Sequence, residues 1–176
     1  MASSVPTKMS TLTTFADWAS SHKTWPQLKA WLQEKEPNVD IIESEDSAYA
    51  ILRNNKDKEG EAMVAEDAVS VVAQLCRSVV WDTEANLPCC VAPFSARRDQ
   101  KIPSDAPLRL EDFVEGVMVN VFRVRGDAET HVTTRSRLDA DGSFYSERSF
   151  REPFEEAMDE KKTSLDHIEK LIGEPN

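Results

Sequence analysis

The sequence predicts an α+β protein: a mostly antiparallel sheet flanked by helices at its N- and C-terminal ends. Three observations lead there. Between Leu75 and Met158 the apolar residues fall in short β-rich runs, Val79-Val80-Trp81, Cys89-Cys90-Val91, Val117 to Phe122 and His131 to Thr134. Such runs, bounded by turn-forming residues, are the pattern of hairpin-built sheets. Thr83 to Asn86 closes one hairpin and Arg125-Gly126-Asp127 the next, with glycine supplying the positive φ that a tight turn needs. Finally, helical periodicity takes over on both sides of this region, before Pro37 and after Phe150.

Taken in order, residues 1–13 are rich in Ser and Thr, carry no apolar signal-like core, and read as a flexible tail. Residues 14–36 read as a helical hairpin. Phe15, Trp18 and Ala19 share one face of its first arm. Thr24 stands where an N-cap belongs, with Pro26 in the first turn and Gln27 as its capping-box partner. Trp25, Leu28, Trp31 and Leu32 form the apolar stripe of the second arm, and Pro37 ends it. Trp18, Trp25 and Trp31 can serve either as core against the sheet or as an anchor for a protein partner, because tryptophan is enriched at binding hot spots.

Residues 39–150 form the predicted sheet region. Val39 to Ile42 and Ala48 to Leu52 make a first strand pair, and Glu61 to Gln74 a short helix with Met63, Val64, Ala68, Val71 and Val72 inward. Residues 151–173 hold two further helices. The first packs Phe154 and Met158; the second starts at Ser164 and aligns Leu165, Ile168, Leu171 and Ile172. Leu165, Ile168 and Leu171 make this last stripe a second candidate partner surface. Of the two candidates, at least one is expected to face outward. The whole reads as a single domain over 14–176, since about 100–200 residues per domain is usual.

A formal charge of −11 disfavours a protein that coats nucleic acid, because phosphate neutralisation draws on a surplus of Lys and Arg. It suits a basic protein partner instead. Arg97, Arg98, Lys101 and Arg109 form a local basic cluster that reads as a solvated loop. Cys76, Cys89 and Cys90 include one adjacent pair and read as free, buried thiols of a reducing, cytoplasmic compartment. Neighbours on a strand point to opposite faces, so Cys89 and Cys90 are poor joint metal ligands. His22, His131 and His167 lack ligand spacing, and no metal or cofactor is expected. Asp139-Ala140-Asp141-Gly142 lacks the later ligands of a calcium loop and reads as a turn. No apolar run reaches the ~20 residues that span a bilayer.

The order of motifs from residue 41 to 158 resembles the N-terminal half of the adenylation domain of phage-type RNA ligases, which are covalent nucleotidyltransferases. Cys76 to Asp82 stands where that family has C-R-G-hydrophobic-hydrophobic-x-D, and Val91 to Arg98 where it has R-P-F/M-x-K-F-F-N. Phe113 to Gly116 stands at K-x-D-G, Thr134-Arg135-Ser136 at T/S-[KR]-G-S, and Asp139 to Ser146 at D-N-S-F-Y-S. Tyr49 to Asn55 is similar to the Y-x-I/L-K-Y upstream of these. The resemblance implies a nucleotidyltransferase-type sheet and a nucleotide pocket at Arg77, Phe113, Glu115, Gly116 and Arg135.

The departures carry equal weight. The family's lysine attacks the α-phosphate of ATP, a step that needs an amine. Phenylalanine stands at 113, alanine at 96 in place of a second lysine, and serine at 78 in place of glycine. The family's downstream metal and triphosphate motifs would stand beyond Asn176. The resemblance therefore implies a truncated, catalytically inactive ligase-like domain without catalytic residues. Ligases of this kind occur in phages and large DNA viruses, so it further implies a structural or protein-interaction module, such as a minor capsid component of a virion, with capsid proteins as partners. The alternatives are a non-catalytic module that binds a nucleotide or RNA end, or one part of a split ligase.

Overall fold

The computed structural model describes residues 11–55, 71–93, 116–124, 130–142 and 148–172. Helices α1 (Thr11–Ser21) and α2 (Trp25–Lys35) form the N-terminal hairpin, α1 beginning at Thr11 rather than at residue 14. Strands β1 (Val39–Glu43), β2 (Tyr49–Asn54), β3 (Val79–Asp82) and β4 (Leu87–Val91) make an antiparallel sheet in that spatial order. A short helix, α3 (Val71–Leu75), precedes β3, and the rest of the predicted 61–74 helix lies outside the described residues. Strands β5 (Val119–Arg123) and β6 (Thr130–Thr134) pair as a separate antiparallel ribbon. Their connection, with Arg125-Gly126-Asp127, lies outside the described residues. Helices α4 (Arg151–Glu160) and α5 (Leu165–Ile172) close the chain.

Alternation along the strands sorts the core into two layers. Ala50, Leu52, Val79 and Trp81 face the helical hairpin and meet Phe15, Trp18, Trp25, Leu28 and Leu32 in one buried cluster. Trp81 is fully buried, and Phe15 meets it edge-on at 6.3 Å and Trp18 at 5.0 Å. The intervening residues Ile51 and Val80 face the opposite way and pack on Phe122 of the ribbon. The sheet is thus the middle layer between helices and ribbon. Burying each large apolar side chain contributes about 1.5–3 kcal/mol.

The tryptophans accordingly correct the anchor reading. Trp18 and Trp25 are only 7% and 6% exposed, and half-buried Trp31 lies 5.8 Å from Trp18. The amphipathic hairpin has covered the sheet's own apolar face, which removes Trp18 and Trp25 from any partner surface. The C-terminal stripe is likewise drawn inward: α5 lies against β5, with Leu165 and Ile168 half-buried. The side chain of Leu171 lies outside the described residues.

Three local expectations are also revised. Thr24 occupies the N-cap of α2 with extended backbone, but its hydroxyl makes no capping bond. Its carbonyl instead accepts from the Gln27 and Leu28 amides, both at 3.1 Å. Cys76 is buried, whereas Cys89 and Cys90 are half-buried. These two do not alternate across the sheet. The register slips between Val80, which faces Cys90, and Trp81, which faces Pro88. The extra residue of this bulge, Cys89, turns with Cys90 toward the Ile51–Val80–Phe122 cluster. Burial pushes the Cys89 thiol up to about 12 and the Cys90 thiol up to about 11.

The hairpin of residues 83–86 closes as its sequence predicts. Asp82 Oδ1 accepts the Glu84 and Ala85 amides at 2.9 and 2.8 Å, a side-chain mimic of a backbone turn. Asn86 takes φ of +54°, a conformation asparagine tolerates better than most residues. Its buried amide accepts from Trp81 Nε1 at 3.2 Å and donates to the His22 carbonyl at 2.6 Å, tying the hairpin to the α1–α2 connection. Asp139-Ala140-Asp141 is likewise a turn, with the Asp141 amide donating to Asp139 Oδ1 at 2.9 Å.

Candidate site: an arginine-lined cleft

One end of the sheet meets one end of the ribbon in a cleft of about 540 Å3. That volume is within the usual range for small-molecule sites. Asp40 of β1, Arg53 and Asn54 of β2, Asn55, and Arg77 ahead of β3 line the sheet side. Gly116, Val117 and Met118 ahead of β5, then Thr134 to Arg137 at the end of β6, line the ribbon side, with Gly142 and Phe150 beyond. Four arginines, Arg53, Arg77, Arg135 and Arg137, are among the lining residues. Among the described lining residues Asp40 supplies the one carboxylate.

Strand register explains the first pair. Asp40 and Arg53 face each other directly across β1 and β2, and Arg53 Nη2 donates to Asp40 Oδ2 at 3.3 Å. Cross-strand opposite charges of this kind stabilise a sheet modestly. Asn55 Nδ2 donates to the other oxygen, Oδ1, at 2.7 Å. Arg53 Nη1 reaches over the cleft to Ser136 Oγ at 2.5 Å.

From the ribbon side, Arg135 completes a second bridge. Its Nε donates to the Arg77 carbonyl at 3.2 Å and its Nη2 to the Asn54 carbonyl at 2.6 Å. Arg135 thereby sits across the β2–β3 end of the sheet and holds Arg77 beside it. Arg77 Nη1 is 3.5 Å from the Pro93 carbonyl. Behind this rim lies a buried polar seam in which Asn120 Nδ2 donates to Ser78 Oγ at 3.1 Å and to Thr133 Oγ1 at 3.3 Å. Ser78 and Thr133 are fully buried, so each needs such a partner. The seam fixes the ribbon against the residue that follows Arg77.

Two glycines keep the cleft open. A Cβ on Gly116 would meet nothing within 4 Å, so the space above it is free. A Cβ on Gly142 would come within 3.0 Å of Arg137 Cγ, so the absence of a side chain there lets Arg137 lie close.

Three of the five pocket residues expected from sequence, Arg77, Gly116 and Arg135, are therefore brought together, while Phe113 and Glu115 lie outside the described residues. The Arg97, Arg98, Lys101 and Arg109 cluster also lies outside them. Sequence reasoning did not single out Asp40, Arg53, Asn55 or Arg137. Arg53 lies within the Tyr49–Asn55 stretch matched to Y-x-I/L-K-Y, one residue past Leu52 at the lysine position. Asp40 had a signal only through hairpin register. Among the described residues no group of three or more His, Cys, Asp or Glu side chains could hold a metal ion, and no helix is long and apolar enough to cross a membrane.

Comparison with known proteins finds no match to this chain among protein-family models, curated proteins or solved structures. Likeness to RNA ligases thus rests on the motif residues, and the observed fold is α+β with a four-stranded antiparallel sheet and a two-stranded ribbon.

Proposed function

We propose that this chain is a catalytically inactive, RNA-ligase-like module that binds a compact phosphate-bearing ligand, a nucleotide or the phosphorylated end of an RNA, in the arginine cleft. The observation that carries this reading is that Arg53, Arg77, Arg135 and Arg137 line one cleft in which Asp40 is the sole described carboxylate. Guanidinium groups match phosphate oxygens in pairs, and charge-assisted bonds of this kind are the strong ones. Local potential, rather than the net charge of −11, governs a ligand small enough to sit among them. The net charge instead disfavours a long polyanion that would run out over acidic surface.

Binding without chemistry follows from position 113. Phenylalanine offers no amine for a lysyl-adenylate, and Val114, Glu115 and Gly116 supply no substitute. The Trp18/Trp25 arm of the hairpin packs against the chain's own strands, which favours this reading over one built on those tryptophans as a partner anchor.

Isothermal titration with AMP and with a 5′-phosphorylated RNA oligomer tests the proposal. Both should bind, and Arg77→Ala or Arg137→Ala should weaken each by about tenfold or more, the scale of one lost charged contact. Gly116→Phe should block the cleft while leaving the melting temperature unchanged, because its Cβ enters open space. Absence of binding to the wild-type chain sinks the reading. A labelled band after incubation with radiolabelled ATP and magnesium would overturn the non-catalytic part.

A further inference from the structure

We infer that Asp40 is the specificity-determining residue of the arginine cleft, selecting phosphate monoesters that carry neighbouring hydroxyl groups over bare phosphates. This inference rests on the phosphate-binding reading above and goes on to say what must be attached to the phosphate. Beyond pairing with Arg53, a carboxylate in a cleft that holds phosphate alone carries a cost, since a like charge a few ångströms away repels the ligand. Asp40 nevertheless lines the cleft, with its side chain 27% exposed. It is also held in place: Asn55 Nδ2 binds Oδ1 at 2.7 Å and Arg53 Nη2 binds Oδ2 at 3.3 Å.

An ionised carboxylate has about four acceptor positions, and these contacts use two of them. The remaining positions can accept only from a donor. Within the cleft the described donors are chiefly guanidinium and amide groups that phosphate oxygens also seek. A ligand with both kinds of group satisfies the whole site, its phosphate on the arginines and its hydroxyls on Asp40. A sugar phosphate has that composition. The Asp40–Arg53 pair then works as a fixed ruler, because cross-strand register sets the carboxylate beside the first guanidinium. The repulsion that penalises inorganic phosphate or pyrophosphate is offset only when hydroxyl donors reach the carboxylate.

The test compares ribose 5-phosphate with methyl phosphate, which has the same phosphate monoester and no hydroxyl, and with pyrophosphate. On the wild-type chain ribose 5-phosphate should bind about tenfold more tightly than methyl phosphate, one hydrogen bond to a charged acceptor. Asp40→Asn, which keeps shape and removes the charge, should tighten methyl phosphate and pyrophosphate and erase the preference. Asp40→Glu should restore part of it. Equal affinity of the wild-type chain for ribose 5-phosphate and methyl phosphate overturns the inference while leaving the cleft an anion site. An Asp40→Asn chain that weakens all three ligands equally also overturns it, by reducing Asp40 to a prop for Arg53. If none of the three binds the wild-type chain, the phosphate-binding reading itself falls. The wild-type comparison of ligands decides the matter even if the variants fail to fold.

Discussion

On the helix-facing side of the sheet, Trp81, Leu52 and Val79 meet Phe15, Leu28 and Leu32 in an all-apolar set of buried side chains. On the ribbon-facing side the apolar contact is smaller, with Ile51, Val80 and Phe122 at its buried centre, and polar side chains share the interface. Asn120, Ser78 and Thr133 bond one another inside it, and Arg135 spans its rim by holding two carbonyls. The contrast separates a layer held by area from a layer held by direction. Apolar burial is non-directional, so it tolerates small shifts. Hydrogen bonds between buried groups fix one geometry and penalise every other. The second kind of layer is the one beside the arginine-lined cleft.

The largest break in this comparison is Trp81→Ala. It empties the centre of the helix-facing core and should cost about 3–5 kcal/mol in denaturant unfolding. The whole chain should then unfold at lower denaturant, because the sheet is common to both layers. A loss under about 1 kcal/mol would show that the hairpin does not depend on this contact.

Asn120→Leu strikes the ribbon-facing layer. It strips Ser78 and Thr133 of their shared donor and should destabilise by about 1–3 kcal/mol, the cost of leaving buried polar groups unpaired. Ligand affinity should fall with it, since Arg77 adjoins Ser78. A variant that is destabilised yet binds AMP with wild-type affinity would separate the seam from the cleft.

Arg135→Ala should have a smaller effect on stability, about 1–2 kcal/mol, because its carbonyl contacts lie at a half-buried rim. Hydrogen exchange should quicken in β5 and β6 more than in β2 and β3 if the ribbon is the layer held by direction. Uniform quickening would argue against that division.

The smallest effect comes from the polar contact at the edge of the helix-facing layer. Lys29 Nζ donates to Glu43 Oε2 at 2.6 Å and Trp25 Nε1 to Oε1 at 2.8 Å. The Lys29 bond, then the Trp25 bond, hold the Glu43 carboxyl below its ordinary value of 4.5. A lowered folded-state value means the stabilisation is fully present above the ordinary value and is lost as pH falls through the lowered one. Glu43 keeps 29% exposure of its side chain, so the contribution should stay below about 1 kcal/mol. The melting-temperature gap between wild type and Glu43→Gln should therefore narrow as pH falls below 4.5. A gap that widens there would reverse the assignment.

Much of this architecture was legible in the chain itself because its causes are local. The apolar strand run of Ala48 to Leu52, the Thr83–Asn86 turn, the Pro37 stop and the Trp25–Leu28–Leu32 stripe each depend on residues a few positions apart. Arg77, Gly116 and Arg135 were singled out together only through the motif order read from the sequence. What tertiary structure alone decided is where those surfaces go. Nothing local says whether Trp18 and Trp25 cover this sheet or another protein; the apolar face of β2 and β3 settles it, being the surface that buries them. Strand alternation puts Cys89 and Cys90 on opposite faces until a register slip against Val80 and Trp81, which is a property of the pair of strands, turns them the same way. Asp40 and Arg53 are ordinary polar residues until the β1–β2 register sets them face to face in the lining of the cleft. Local sequence determines an element and its faces, whereas pairing across strands and packing between layers depend on residues far apart in the chain, and only the folded arrangement brings them to one place.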